Sequence, residues 1–330
     1  MDRYLRQKLV SWLGHDGQEA LSRSSVLVVG CGGIGSTSST FLARAGIGRL
    51  RLVDRDVVSL TDLHRQIHYT EEDLQGLHLK VAVAERRLRA SNSEVEVEPV
   101  AAELNPSNVT DLANGIDLIL DCSDNFATRM LINEVAVKYR IPWIHGACLS
   151  SSGMVIPFAD PTDGCYRCVV GDVLERFNQP EEPLPILGPT AGAVGSIQAL
   201  EAIKLLVNPD LSAKRMIHFD GATMVWETVE VTRRADCPVC SKRNFDLLSS
   251  ARRWQRSFRQ VDGVYEVDLP EMEFDLLKAR LADRASEIVK GALVIRSQGM
   301  SIALFADGKA LVRGVESSDQ ARNYLESLLG

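Results

Sequence analysis

The chain has no run of eighteen uncharged apolar residues, so nothing in it reads as a membrane-spanning helix. It has no basic excess. The formal net charge is −7, against the balance expected of a generic nucleic-acid binder. The start, MDRYLRQKLVSWLG, lacks the apolar core and small-residue cleavage site of a secretory leader, so a cytoplasmic location is expected. Seven cysteines, an odd number, argue against a disulfide framework. There is no internal repeat and no low-complexity tract.

What is present is ordinary globular material: 330 residues, 45% apolar and 25% charged. That length suggests one large domain with an appendage, or two domains. Residues 1–24 are polar and helical in pattern. VLVVG (26–30) enters a glycine cluster, and the small-residue segment STSSTFLARAG follows, giving strand, tight turn and helix. RLRLVD and EVEVEPVAA read as strands, with a helix over 76–90 between them. IDLILDC (116–122) is a buried-type strand, 127–139 a helix, and PWIHGA a short strand. Strands alternating with helices predict an α/β fold, a doubly wound and mostly parallel Rossmann-like sheet. Four prolines within 177–190 mark a crossing loop, and 191–207 a strong helix. MIHFDGATMVWETVEVT reads as a hairpin extending the sheet with antiparallel strands. The expected division is a main domain over 1–245, a linker over 246–262, and a small α+β appendage over 263–330.

Gly30-Cys31-Gly32-Gly33-Ile34-Gly35 fits G-x-G-x-x-G between a strand and a helix. Glycine lets backbone approach phosphate, and the helix start offers unpaired N–H groups. Asp54 closes the next strand, where an acid grips ribose hydroxyls. This points to an adenine nucleotide, with a ligand-free tight turn as the bland alternative and NAD as the default ligand. Cys165-Tyr166-Arg167-Cys168 and Cys237-Pro238-Val239-Cys240 are two Cys-x-x-Cys knuckles. Four thiolates suit a closed tetrahedral Zn²⁺ site of structural kind, the rival being redox thiols. Cys31, Cys122 and Cys148 lie in apolar or small-residue runs and read as inert buried thiols.

Arg65 and Lys80 are cations placed just beyond the first strand-helix unit, and Asp124 lies past the end of a predicted parallel strand. Taken singly, such charges are usually solvated. Together they suit a triphosphate and Mg²⁺, whereas hydride transfer asks for none of them. Asp121 reads as a strand-end residue.

The segment around these residues carries a resemblance. Asp54 and Asp56, then Asp62-Leu63-His64-Arg65-Gln66 and Lys80, resemble the ThiF/MoeB/HesA adenylyltransferases, relatives of the ubiquitin-activating enzymes. Arg3-Tyr4-Leu5-Arg6-Gln7, Asp121-Cys122-Ser123-Asp124-Asn125, Gly195-Ser196-Ile197-Gln198-Ala199-Leu200-Glu201-Ala202 and the two Cys-x-x-Cys pairs extend the match over residues 1–245. The resemblance implies ATP as the nucleotide, with Gly30, Gly32, Gly33, Gly35, Asp54, Asp56, Arg65, Gln66, Lys80, Asp124 and Asn125 around it. Asp54 would hold ribose, Arg65 and Lys80 the phosphates, and Asp124 Mg²⁺. Arg6 would reach a nucleotide in the partner subunit of a homodimer. The implied reaction is adenylation of the C-terminal carboxylate of a small β-grasp sulfur carrier ending in Gly-Gly, for thiazole or molybdopterin synthesis. The family pattern has Asn where this chain has Asp62. A carboxylate there would repel phosphates, so that side chain is expected to turn away or the loop to be rearranged. Neither the crossing loop nor the tail contains cysteine, so the reaction is expected to stop at the acyl-adenylate, with sulfur from a separate persulfide donor. An NAD-dependent oxidoreductase and a non-catalytic carrier-binding homologue are the alternatives.

Overall fold

The structure is a computed structural model, and it describes residues 2–171, 185–212, 215–249, 261, 263–269, 273–297 and 299–329. The elements run α1 (Leu5–Lys8), α2 (Gly14–Arg23), β1 (Ser25–Val29), α3 (Gly33–Ala45), β2 (Arg49–Val53), α4 (Lys80–Ser91) and β3 (Glu96–Val100). Then come α5 (Val109–Ala113), β4 (Leu118–Asp121), α6 (Phe126–Tyr139), β5 (Trp143–Leu149), β6 (Ser152–Phe158), α7 (Tyr166–Val170), α8 (Gly188–Val207), β7 (Arg215–Asp220) and β8 (Val225–Glu230). The appendage holds β9 (Val264–Asp268), α9 (Phe274–Leu281), β10 (Glu287–Val289), β11 (Ala292–Ser297), β12 (Met300–Phe305), β13 (Lys309–Arg313) and α10 (Ser318–Leu329).

The main sheet has eight strands in the order β3-β2-β1-β4-β5-β6-β7-β8. The first five are parallel and the last three antiparallel. β1 and β4 are fully or nearly fully buried apolar runs, as strands covered on both faces must be. After β1 the chain winds outward through β2 to β3, then returns to place β4 on the other side of β1. That reversal makes the β1/β4 boundary the switch point, where open α/β sheets bind ligands beyond the strand C-termini. Pro99 lies in β3, whose outer side carries no strand of this sheet, so its missing N–H breaks no ladder there.

Several expectations shift. The helix expected over 76–90 begins at Lys80, because the residues before it are pinned to the loop after β2: Leu79 bridges Val57, and the Val58 N–H donates to the His78 carbonyl at 2.9 Å. α8 begins at Gly188, three residues early, with Pro189 in its first turn, where the missing N–H costs nothing. Most of the predicted crossing loop, 172–184, lies outside the described residues; its exit, 185–187, runs beside the β5–β6 turn through a Ser150–Ile186 bridge. β6 is an addition to the strands expected from the sequence: SGMVIPF folds back antiparallel on β5. α8 is long and apolar enough to cross a membrane by composition alone, but half of it is buried inside the protein.

The predicted linker is not uniformly loose. Leu247 is buried, and the Leu247 and Leu248 N–H groups both donate to the buried Glu134 carboxylate at 3.0 Å. The remainder, 250–260 and 262, lies outside the described residues. The appendage sheet, in the order β10-β11-β12-β13-β9, is covered on both faces. Leu293, Ile295, Ile302, Leu304 and Val312 pack with Leu277, Leu281, Leu325 and Leu329 of α9 and α10. Their alternates Ala292, Val294, Ala303, Phe305 and Leu311 join the main core with Leu77, Leu79 and Leu88. Burial on both sides accounts for the unbroken apolar stretches Ala292–Ile295 and Ile302–Phe305.

Candidate active site

The glycine loop leaves β1 with Gly30 at φ +94°, a left-handed turn. A Cβ at Gly35 would lie 1.9 Å from the Gly30 carbonyl oxygen, and one at Gly33 would press on Ala191. At Gly32 the space is open except for Gln66 Nε2, 4.0 Å from where a Cβ would sit. Glycines 30, 33 and 35 therefore shape the turn, and Gly32 borders the free volume at the start of α3.

Asp54, at the end of β2, braces this loop. Its Oδ2 accepts the Cys31 N–H at 2.8 Å and its Oδ1 the Asp56 N–H at 2.8 Å. Burial and the neighbouring Asp56 charge push its carboxyl up to about 6.

Asp62 lies at the centre of the cluster. It is fully buried and closes a capping box with Ser59, whose N–H and hydroxyl donate to Oδ2 at 3.1 and 3.0 Å. Its Oδ1 accepts from Gln66 Nε2 at 2.7 Å and from Arg65 Nη2 at 3.1 Å. Lys80 Nζ lies 3.4 Å from Oδ2 and 3.1 Å from Asp56 Oδ2. Of the two expectations for Asp62, a side chain turned away or a rearranged loop, the first is thus corrected. Five donors converge on it, so its charge gathers the cations instead of facing solvent. Lys80 is only 3% exposed. Burial works against its charge, yet Asp56, Asp54 and Asp62 together hold its pKa above the ordinary lysine value. Gln66 is buried too, and its Oε1 lacks a partner.

On the other side of β1, β4 ends in Asp121. Its Oδ1 accepts the Ser123 N–H and hydroxyl at 3.1 and 2.6 Å, and its Oδ2 receives the Nδ1 proton of buried His145 at 2.7 Å. Arg129 Nη2 donates to the Ser123 carbonyl at 3.0 Å. These bonds fix the turn that presents Asp124, which is exposed. Asn125 is the N-cap of α6, its Oδ1 accepting the Thr128 N–H at 2.7 Å. The sequence did not single out Arg129 or His145. Arg129 lies four residues beyond Asn125, so helical spacing alone places it above the cap.

Arg6 is not brought to this site. It is exposed on α1, which is tied to the far end of α3 by Gln7 Nε2 donating to the Ala45 carbonyl at 2.9 Å. The 13 residues of α3 separate that end from Gly32 by about 20 Å.

The four knuckle cysteines do converge. Their sulfurs all lie within 4.8 Å of one another, at 4.0 Å for Cys165–Cys168, 3.7 Å for Cys165–Cys237 and 3.5 Å for Cys168–Cys240. A tetrahedral Zn–S shell requires about 3.8 Å between sulfurs. The Arg234 N–H and Asn133 Nδ2 point donors at Cys168 and Cys165, which suits thiolate charge. Burial raises the pKa of Cys31, Cys122 and Cys148, the last to about 11, as inert thiols require; Cys148 is only half-buried.

With this geometry in hand, comparison with known proteins decides the family. The model of the ThiF family matches residues 4–239. The chain belongs to the ThiF family. Among relatives, the sulfur carrier protein ThiS adenylyltransferase of Bacillus subtilis is 30% identical over 99% of each chain. The protein of the same name from Escherichia coli is 37% identical over 74% of this chain and 96% of its own. Escherichia coli MccB, solved with MccA-N7isoASN, superposes with a TM-score of 0.65 at 23% identity, covering 73% of this chain and 75% of that one, a likeness of fold. As a ThiF-family protein with adenylyltransferase relatives, the chain is an enzyme of that class; nothing in the comparisons favours the nicotinamide alternative.

Proposed function

We propose that this ThiF-family enzyme uses ATP to adenylate the C-terminal carboxylate of a small β-grasp sulfur carrier ending in Gly-Gly. The observation that carries the reading is the Asp62 hub, which brings Arg65, Gln66 and Lys80 together beside the open face of Gly32 at the switch point. A buried lysine and a half-buried arginine beside an open helix start are suited to phosphate oxygens.

In this reading a carrier carboxylate oxygen forms a bond to the α-phosphorus of ATP. The bond from that phosphorus to the α–β bridging oxygen breaks, and pyrophosphate leaves with the electron pair. The nucleophile is already an anion, so no base is needed. Catalysis is alignment and charge neutralisation. Arg65 and Lys80 bind the phosphates, and Asp54 orients the ribose while bracing the Cys31 backbone. Asp124 would hold Mg²⁺, which supplies further neutralisation. Arg6 would serve a neighbouring copy's nucleotide across a homodimer, consistent with its distance from the chain's own glycine loop. A structural Zn²⁺ would join the four cysteines, and sulfur would come from a separate persulfide donor. The names of the relatives support a carrier of ThiS type, and we place the reaction in the cytoplasm.

The test is carrier-dependent ATP–pyrophosphate exchange with a ThiS-type carrier ending in Gly-Gly. Wild type should exchange, and Asp124→Ala should lose exchange while keeping its fold. Exchange undiminished in that variant refutes the assignment of Asp124, and none in wild type favours a carrier-binding homologue without catalysis.

A further inference from the structure

The appendage grips the segment that leads into Lys80 through two arginines. Arg313, at the end of β13, donates from Nη1 to the carbonyls of Leu74 and Gly76, both at 2.9 Å. Arg296, in β11, donates from Nε to the Leu77 carbonyl at 2.9 Å, and its Nη2 lies 3.1 Å from His78 Nδ1. Glu287 of β10 fixes the same Nη2 at 2.8 Å. Gly76 runs at φ +97°, and a Cβ there would lie 2.9 Å from Ser301 Oγ of β12. The segment 74–77 therefore lies directly against the appendage sheet.

Three residues later the same segment delivers Lys80. Between them the His78 carbonyl takes the Val58 N–H, Leu79 bridges Val57, and the Lys80 N–H donates to the Asp56 carbonyl at 2.9 Å. Leu77 and Leu79 are buried in one core with Val294, Ala303 and Phe305 of the appendage. No described residue between Leu74 and Lys80 is left outside this bracing except the Gln75 turn. Leu74 ends a short 3₁₀ turn (Glu71–Leu74), and residues 75–77 after it are neither helix nor ladder strand, so the carbonyls at 74, 76 and 77 take their donors from the appendage.

We propose that Arg296 and Arg313 are positioning residues, through which the appendage sets the place of Lys80 in the phosphate site. This rests on Lys80 as a phosphate ligand. In this chain the appendage has become part of the nucleotide site's support.

Calorimetric binding of Mg–ATP to the full-length chain tests the proposal. Arg296→Ala/Arg313→Ala should weaken binding about tenfold, the scale of a small misplacement of a site group, when measured well below the lowered melting temperature that the lost hydrogen bonds entail. Arg296→Lys and Arg313→Lys, which keep the charge but lose the fork, should each give an intermediate loss, and they provide the readout if the double variant does not fold. In a Lys80→Ala background the double substitution should cost little more, because both act through one group. Unchanged ATP affinity in the double variant or in both lysine variants overturns the proposal. So does a loss that simply adds to that of Lys80→Ala, which marks general destabilisation. If Lys80→Ala alone leaves binding unchanged, the underlying reading of Lys80 fails, separably from the arginines.

Discussion

Replacing Asp62 with Asn exchanges one oxygen for an amide nitrogen at a point where five donors meet. Oδ2 receives the Ser59 N–H and hydroxyl and lies near Lys80; Oδ1 receives Gln66 and Arg65. Set toward Oδ2 the NH₂ would face the Ser59 N–H and Lys80, and set toward Oδ1 it would face Arg65 while Gln66 can turn its Oε1 to accept from it; either way both cations lose a full negative charge. Lys80 keeps Asp56, so the loss is partial. Hydrogen bonds to a charged group are worth about 1.5–3 kcal/mol, and unpairing a buried charge costs about 3–5 kcal/mol. A net destabilisation of about 3 kcal/mol follows, or about 4 °C in Tm for a chain of this length. Mg–ATP should recover part of it, because phosphate oxygens offer the released cations a new acceptor. The assay is thermal unfolding of wild type and Asp62→Asn with and without Mg–ATP. The expected result is a lower Tm for the variant and a larger ATP-induced rise than in wild type. Since Asn is the residue of the family pattern, exchange activity should survive. A variant melting within about 1 °C of wild type, with the same response to ATP, would refute the hub.

Lys80→Ala should weaken Mg–ATP binding about a hundredfold, read by calorimetry, since it removes a buried charge-assisted contact. Stripping metal with a strong chelator, or replacing Cys237 with Ser, should lower the Tm, with zinc released in stoichiometric amount and measured by a chromogenic dye. Acid should destabilise the chain through His145 and Asp121. Burial outweighs the Asp121 contact and holds the His145 pKa below its usual 6.5. Asp121, though burial opposes its charge, is held below 3.8 by His145, Arg129 and Ser123. Both folded values are depressed, so this stability is present above pH 6.5 and is lost as pH falls, first for His145 and then for Asp121. The decline in Tm between pH 7 and 5 should be smaller in His145→Gln, and an identical decline would contradict the assignment.

The glycine loop, the parallel strands and the cysteine knuckles were legible because each is a local pattern with a local cause: glycine where backbone must turn or approach, apolar runs where both faces are covered, thiols at knuckle spacing. The role of Asp62 was not. Read along the chain it is an acid beside phosphate cations, hence a liability; only burial with five donors around it turns the same charge into an organiser. The start of α4 was misread for a related reason. Residues 76–79 carry helix-compatible side chains, but their backbone groups are claimed by partners distant in sequence, at 57–58 and in the appendage. The packing of Leu247 against α6 was hidden in the same way, in a stretch whose basic, serine-rich composition reads as linker.

The account's central claim is that the volume above Gly32 receives a triphosphate held by Arg65 and Lys80. A crystal structure with Mg²⁺ and a non-hydrolysable ATP analogue measures this directly. The account predicts phosphate oxygens within hydrogen-bonding distance of both cations, with the α-phosphorus open to an incoming peptide terminus. Phosphates bound elsewhere, with Arg65 and Lys80 still closed on Asp62, would contradict it.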